Sequence, residues 1–171
     1  GYDFVDGDSD PTEVGTTRMG SFGHGTHVAG IIAMVAPDAQ IMPVRVLDEN
    51  GVGTMWRLAQ GLYFAVDPDG SGNPDLSADV INLSLGTTQT TAMIKKLLFA
   101  TTNDGTIPDD EDLPNHRRPN IVVVAAGGNT GNATTRVFPA AEYDVTGLIA
   151  VGATDANDSL ADFSTRGEWV D

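Results

Sequence analysis

Gly23-His24-Gly25-Thr26-His27-Val28-Ala29-Gly30 places a histidine between two glycines at the start of a run of small, helix-compatible residues. Glycine on both sides of His24 lets other backbone approach the imidazole closely. Because small and aliphatic residues continue beyond Gly30, the sequence predicts a buried helix over residues 25–34 that fixes the position of the imidazole. A histidine held in this way is placed as a general base would be.

Composition and charge narrow the class of protein. The 171 residues are 40% hydrophobic, which is typical of one globular α/β domain. The chain contains 24 acidic and 9 basic residues, and this formal charge of −15 argues against a nucleic-acid or anionic-membrane surface. No apolar run is long enough to span a membrane, and residues 1–20 lack the features of a signal peptide. Without cysteine, the fold depends on no disulfide.

Apolar runs alternate with helix-like segments along the chain, and this βαβα pattern predicts an α/β fold with a parallel sheet. Several of the strands are apolar almost throughout, as expected for a sheet covered on both faces. Candidate strands span residues 2–5, 41–47, 80–85, 121–126 and 148–153, and candidate helices span 25–34, 55–66 and 90–103. The second helix should bury Met55, Leu58, Leu62 and Ala65, and the third should bury Met93, Ile94, Leu97 and Leu98 and expose Lys95 and Lys96.

Oxygen-bearing side chains at every second position predict a calcium site in the loop after the second helix. These side chains are Asp67, Asp69, Ser71, Asn73 and Asp75. A solvated acidic turn is the alternative, because the closing glutamate of a twelve-residue calcium loop is absent. A second such cluster contains Asp3, Asp6, Asp8 and Asp10, and residues 106–119 are expected to form a solvated surface insertion.

The octapeptide around His24 resembles the active-site histidine motif of the subtilisin-like serine proteases (subtilases, peptidase S8), in which His24 would be catalytic. Residues 80–86 are similar to the family's substrate-binding strand, whose backbone pairs with an extended peptide, here at Ser84, Leu85 and Gly86. Residues 48–54 resemble the segment on the other side of that peptide, which implies binding at Gly51, Val52 and Gly53. On composition alone, this segment is equally well an ordinary turn.

The strand and loop at residues 122–129 form the third match. In subtilases the asparagine at this place donates to the oxyanion of the tetrahedral intermediate, which implies that role for Asn129 and substrate contacts at Ala126, Gly127 and Gly128. Residues 138–141, 148–154 and 161–164 resemble the next strand and loop. The resemblance therefore covers nearly the whole chain. It implies a three-layer αβα fold with helices on both faces of a mostly parallel sheet, an extended polypeptide substrate, no cofactor for the chemistry, and secretion.

Two expected motifs do not occur in these residues. The family's Asp-(Ser/Thr)-Gly motif should precede the histidine, and its Gly-Thr-Ser-Met-Ala motif should follow the asparagine. Neither Ser84 nor Ser164 lies on a nucleophile turn, and Asp6 and Asp10 fit the missing aspartate poorly. Residues 1–171 are therefore predicted to be one partial catalytic domain, an internal segment that is inactive alone. The resemblance implies that a strand is missing between residues 41–47 and 80–85, so these strands should close up, or another segment should fill the gap, with self-association through the open edges as one route.

Two other functions stay open at this stage. A pseudo-protease could keep the peptide groove and lack the chemistry. A metal hydrolase could use His24, His27 and His116, although no His-Glu-x-x-His motif is present. We expect His27 instead to be a buried, hydrogen-bonded residue and His116 to lie on a surface loop.

Overall fold

The computed structural model describes residues 1–16, 20–102, 121–142 and 144–171. These residues form two compact units, Gly1–Ala65 and Val66–Asp171. No described helix is both long and apolar enough to cross a membrane. The helices are α1 (His24–Val35), α2 (Met55–Val66) and α3 (Ala92–Thr102), with a short 3₁₀ helix at Pro74–Leu76, and the strands are β1 (Tyr2–Asp3), β2 (Val44–Arg45), β3 (Val80–Leu83), β4 (Val122–Ala126) and β5 (Leu148–Val151).

An ion-pair cluster holds together the two-stranded sheet of the first unit. β1 pairs in parallel with β2, and Asp3 lies opposite Arg45 in the ladder. The Arg45 guanidinium donates to Asp3 at 2.5 Å and to Asp6 at 2.6 Å, and Asp3 is only 1% exposed. Burial alone would raise the pKa of Asp3, but hydrogen bonds from the Asp6 N–H, the Arg45 side chain and the Val5 N–H outweigh it and lower that pKa. Asp3 and Asp6, which were candidate cation ligands, thus neutralise an arginine.

The second unit contains a three-stranded parallel sheet with the order β3-β4-β5. One face is buried, and α3 packs against β4 with Ile94 and Leu98 fully buried. Side chains alternate between the two faces of the sheet, and in the described residues the second face carries a row of exposed side chains. The buried row contains Ile81, Leu83, Val123, Ala125 and Ala150, and the exposed row contains Val80, Val122, Ile149 and Val151.

The helices differ from the prediction in their burial more than in their bounds. α2 has the expected bounds and buries Leu58, Leu62 and Ala65. In α3 the prediction is wrong for Met93, which is exposed. The prediction of a buried α1 is also wrong, because no residue of this helix is buried. A unit of this size is too small to enclose a helix that is apolar on several sides.

The parallel α/β class predicted from the alternating pattern is confirmed. All strand pairs in both sheets are parallel, although each strand is shorter than its apolar run. Among the described residues, β2 pairs with β1 and β3 pairs with β4, and closure of the gap between residues 41–47 and 80–85 stays a prediction. The insertion at 106–119 lies outside the described residues.

Candidate active site

His24 is the first residue of α1, and its side chain is exposed. The residue before it, Gly23, takes a left-handed conformation with φ 88°, which favours glycine. The main-chain N–H of His24 donates to the carbonyl of Ser21 at 3.1 Å. His27 is also exposed, so the prediction that it would be buried is wrong, and His116 lies outside the described residues. An exposed imidazole at a helix start is open to a substrate.

Glu13 caps the helix that carries His24, and the sequence analysis missed it. Its carboxylate accepts a hydrogen bond from the Gly23 N–H and another from the Thr26 N–H at 2.7 Å. Burial alone would raise the pKa of Glu13, but the hydrogen bonds from Thr26, Gly23 and Gly25 outweigh it and lower that pKa. No spacing rule identifies a capping residue that lies 10 positions before Gly23.

Replacing Glu13 with glutamine should destabilise the protein at neutral pH by about 1 kcal/mol, the usual value of a charged helix cap. A carboxylate with a lowered pKa in the folded state stabilises above the ordinary glutamate pKa of about 4.3. That stabilisation is lost as the pH falls through the lower folded value. Urea unfolding of the wild type and Glu13→Gln should therefore differ at pH 7 and converge once the pH falls below the lowered pKa of Glu13 in the folded state. Glu168→Gln, at an exposed position, is the matched control. A pH-independent difference, or one equal to that of the control, would contradict the cap.

The segment at residues 48–53 forms a turn closed by Asp48. The Asp48 carboxylate accepts from the N–H groups of Asn50 and Val52, each at 2.9 Å. Gly51 has φ 73°, and a Cβ at Gly53 would lie 2.7 Å from the Val46 carbonyl oxygen. Both glycines are therefore required by the backbone. Gly51, Val52 and Gly53 are exposed, so a ligand can reach their main chain.

Ser21 joins this turn to the start of α1. Its hydroxyl donates to the carbonyl of Glu49 at 2.7 Å, and its own carbonyl accepts from the His24 N–H. A Cβ at Gly51 would lie 3.0 Å from the Ser21 Cβ. Within Gly1–Ala65, the structure thus brings together the predicted catalytic histidine and the predicted binding turn.

The second unit contains a cleft of about 320 Å³ between the end of β3 and the end of β4. Asn129 lies on it and is exposed. Gly127 does not line the cleft, because it continues the sheet and donates to the Val151 carbonyl at 2.8 Å. The other predicted binding residues of this unit line the cleft together with Asn129, and they are Ser84, Leu85, Gly86, Ala126 and Gly128.

Val137 closes the cleft on one side and was not identified from the sequence. A Cβ at Gly86 would lie 2.6 Å from one Val137 methyl, and a Cβ at Gly128 would lie 2.5 Å from the other. The two glycines therefore leave the space that this valine fills. Thr87 and Phe138 exchange main-chain hydrogen bonds of 2.9 and 2.7 Å, which fix the segment carrying Val137 to the end of β3.

The predicted calcium loop uses its side-chain oxygens to close its own turns. Asp67 accepts from the Gly72 N–H at 3.0 Å, and the remaining bonds run between neighbouring loop residues. Among the described residues, no group of three or more His, Cys, Asp or Glu side chains could hold a metal ion. Calcium therefore stays a prediction that also needs the serine and asparagine oxygens. The other acceptors are Asp69, Ser71 and Asn73, bonded to the N–H groups of Ser71, Asn73 and Asp75.

A parallel α/β fold with a histidine at a helix start, and an asparagine beside a strand-end cleft, is the architecture of a subtilisin-like hydrolase. Residues 1–171 match the Subtilase family of peptidase S8 over their whole length, and the chain belongs to this family. It is 41% identical to the thermophilic serine proteinase of Bacillus sp. (strain AK1) and 38% identical to thermitase of Thermoactinomyces vulgaris, with 100% of the chain aligned to each.

A solved structure supports the fold independently. The crystal structure of a lanthipeptide protease superposes with a TM-score of 0.69 over 99% of this chain, at 22% identity. The chain spans 37% of the Bacillus relative, 53% of thermitase and 46% of the lanthipeptide protease chain. It thus corresponds to between about a third and about half of each of these proteins.

Proposed function

We propose that residues 1–171 are the part of a serine endopeptidase that carries the general base and the oxyanion donor. The observation that carries this proposal is the cleft of the second unit, where Asn129 lies beside Ser84, Leu85 and Gly86. Membership of the subtilase family supports the reaction class. The aspartate and serine of the triad would come from segments of the complete protein outside these residues.

An extended peptide would bind by pairing its main chain with Ser84, Leu85 and Gly86, which follow the edge strand β3. The main chain of Gly51, Val52 and Gly53 would contact the other side of this peptide. Such main-chain pairing suits any polypeptide, and the neighbouring cleft would choose the side chain.

The chemistry divides between two residues of this chain. His24 would take the proton of the serine hydroxyl as that oxygen attacks the scissile carbonyl, and would then give it to the leaving amine. The Asn129 amide would donate to the negative oxygen of the tetrahedral intermediate. A water molecule, deprotonated by His24, would then attack the acyl-enzyme. This step would release the second product and restore the serine hydroxyl.

The test compares the complete protein with residues 1–171 alone. The complete protein should cleave a peptide amide and react with a fluorophosphonate probe of activated serines. Residues 1–171 should do neither, because neither the Gly-Thr-Ser nor the Asp-(Ser/Thr)-Gly motif is among them. Hydrolysis by residues 1–171 that His24→Ala abolishes would contradict the proposal. Peptide binding by the complete protein without cleavage would favour the pseudo-protease.

Further properties rest on the family. We propose that the protein acts outside the cell and needs no cofactor for the chemistry. A structural calcium ion in the loop at residues 67–75, and self-association through open sheet edges, stay predictions. Calcium-dependent thermal stability and analytical ultracentrifugation would test them.

A further inference from the structure

Thr165 is fully buried and holds the main chain on both sides of Asn129. Its N–H donates to the carbonyl of Gly128 at 2.9 Å, and its hydroxyl oxygen accepts from the N–H of Thr130 at 3.1 Å. The hydroxyls of Thr130 and Thr165 also bond to each other at 3.0 Å. Thr165 thus bonds to both neighbours of Asn129, to Gly128 through its main chain and to Thr130 through its side chain. These hydrogen bonds form a clamp around the asparagine.

From this arrangement we infer that Thr165 is a positioning residue for Asn129, a role that rests on the function proposed above. The Asn129 side chain is exposed, so the main chain on either side sets where its amide group lies. An oxyanion donor must reach its oxygen within about 2.7–3.1 Å. A displacement of about 1 Å can cost about 10²-fold in rate. A clamp on both neighbours of Asn129 provides this positional control.

Thr165 and Val137 pack tightly against Gly128. Gly128 has φ 99°, and a Cβ placed there would lie 3.0 Å from the Thr165 hydroxyl oxygen and 2.5 Å from a Val137 methyl. The loop therefore rests directly on Thr165 and Val137. A shift of Gly128 in either direction would lose the hydrogen bond or create a clash.

Ser164 fixes the clamp itself. It is fully buried, its hydroxyl oxygen accepts from the Ala153 N–H at 3.0 Å, and its O–H donates to the Thr165 carbonyl at 3.2 Å. Ala153 lies shortly after β5, so the hydrogen bonds of Ser164 connect Thr165 to the sheet. The asparagine that follows β4 is in this way held from the end of the neighbouring strand.

The test uses the complete protein and two substitutions, one that removes the hydroxyl and one that keeps it. Thr165→Val keeps the shape and the main-chain N–H but removes the acceptor for Thr130. It should lower kcat by about 10- to 100-fold and change KM by less than about twofold, because the donor acts on the transition state. Thr165→Ser keeps the hydroxyl and should restore kcat to within about threefold of the wild type. Thr102→Val removes the hydroxyl of another buried threonine of this unit and should leave kcat unchanged.

A double substitution shows whether Thr165 acts through Asn129. In the Asn129→Ala background, Thr165→Val should lower kcat no further, because the donor that it positions is already gone. Additive losses, an unchanged kcat in Thr165→Val, or failure of Thr165→Ser to restore it would overturn the inference. If Asn129→Ala itself leaves kcat unchanged, the proposed function fails first and this inference fails with it. Circular dichroism confirms folding, and Thr165→Ala replaces Thr165→Val in the same cycle if that variant does not fold.

Discussion

In the complete protein, His24→Ala is expected to lower kcat about 10⁶-fold, which corresponds to about 8 kcal/mol of transition-state stabilisation. The magnitude is the one known for the equivalent loss in subtilisin, and we carry it over to this relative. The reason is that no other group would take the serine proton in the acylation step. Steady-state kinetics on a peptide amide, with active sites titrated in the wild type, would measure the loss.

The fold should survive this substitution, because the His24 side chain is exposed and its hydrogen bond to the Ser21 carbonyl comes from the main-chain N–H, which alanine keeps. Thermal unfolding of His24→Ala should therefore match the wild type within about 2 °C, consistent with a surface substitution. A zinc chelator should not affect the wild-type rate. Wild-type activity that disappears with the zinc chelator and returns with added zinc would favour the metal hydrolase instead.

Asn129→Ala is expected to lower kcat about 10²- to 10³-fold with little change in KM. Loss of the oxyanion asparagine has this effect in subtilisin, and the family relationship transfers the expectation to this chain. The amide is needed most when negative charge develops on the substrate oxygen, so ground-state binding should change little. Asn129→Asp is the sharper variant, because it keeps the shape and replaces the donor with an acceptor. It should lose at least as much activity as Asn129→Ala.

An asparagine elsewhere in the same unit serves as the control for this pair. Asn157 is exposed in a turn, and Asn157→Ala should leave kcat within about twofold of the wild type. If Asn129→Ala raises KM and leaves kcat unchanged, this residue binds the ground state, and that result would contradict the oxyanion role. The kcat and KM values are separated by full saturation curves rather than by kcat/KM alone.

The features predicted well were those that depend on neighbours in the chain. α2 has the predicted bounds because its apolar residues recur at helical spacing and form one buried face. β4 begins one residue after its predicted start and ends as expected, since a short valine-rich run followed by two glycines is a strand with a clear end. α1 was predicted as a helix for the same local reason, whereas its burial depends on what surrounds it and was predicted wrongly.

The features missed depend on contacts between distant residues. Glu13 reaches the N–H of Thr26 across 13 positions, and Thr165 reaches Thr130 across 35. No periodicity connects such pairs, because their contact is set by packing and not by their spacing in the chain. Val137 was missed for the same reason, because the two glycines that make room for it, Gly86 and Gly128, come close to it only in the folded unit.

His24, the strand ahead of Gly86 and the Gly-Gly-Asn that ends at Asn129 could be identified from residue order alone, because each is a continuous run whose chemistry depends on its neighbours. Tertiary structure was needed to bring Ser84, Leu85 and Gly86 to Asn129, since the parallel pairing of β3 with β4 sets the ends of the two strands side by side. It was also needed to show that Glu13 caps the helix of His24 and that Thr165 bonds to the main chain on both sides of Asn129. Motifs carry reactive groups, but hydrogen bonds between residues far apart in the chain give those groups their positions.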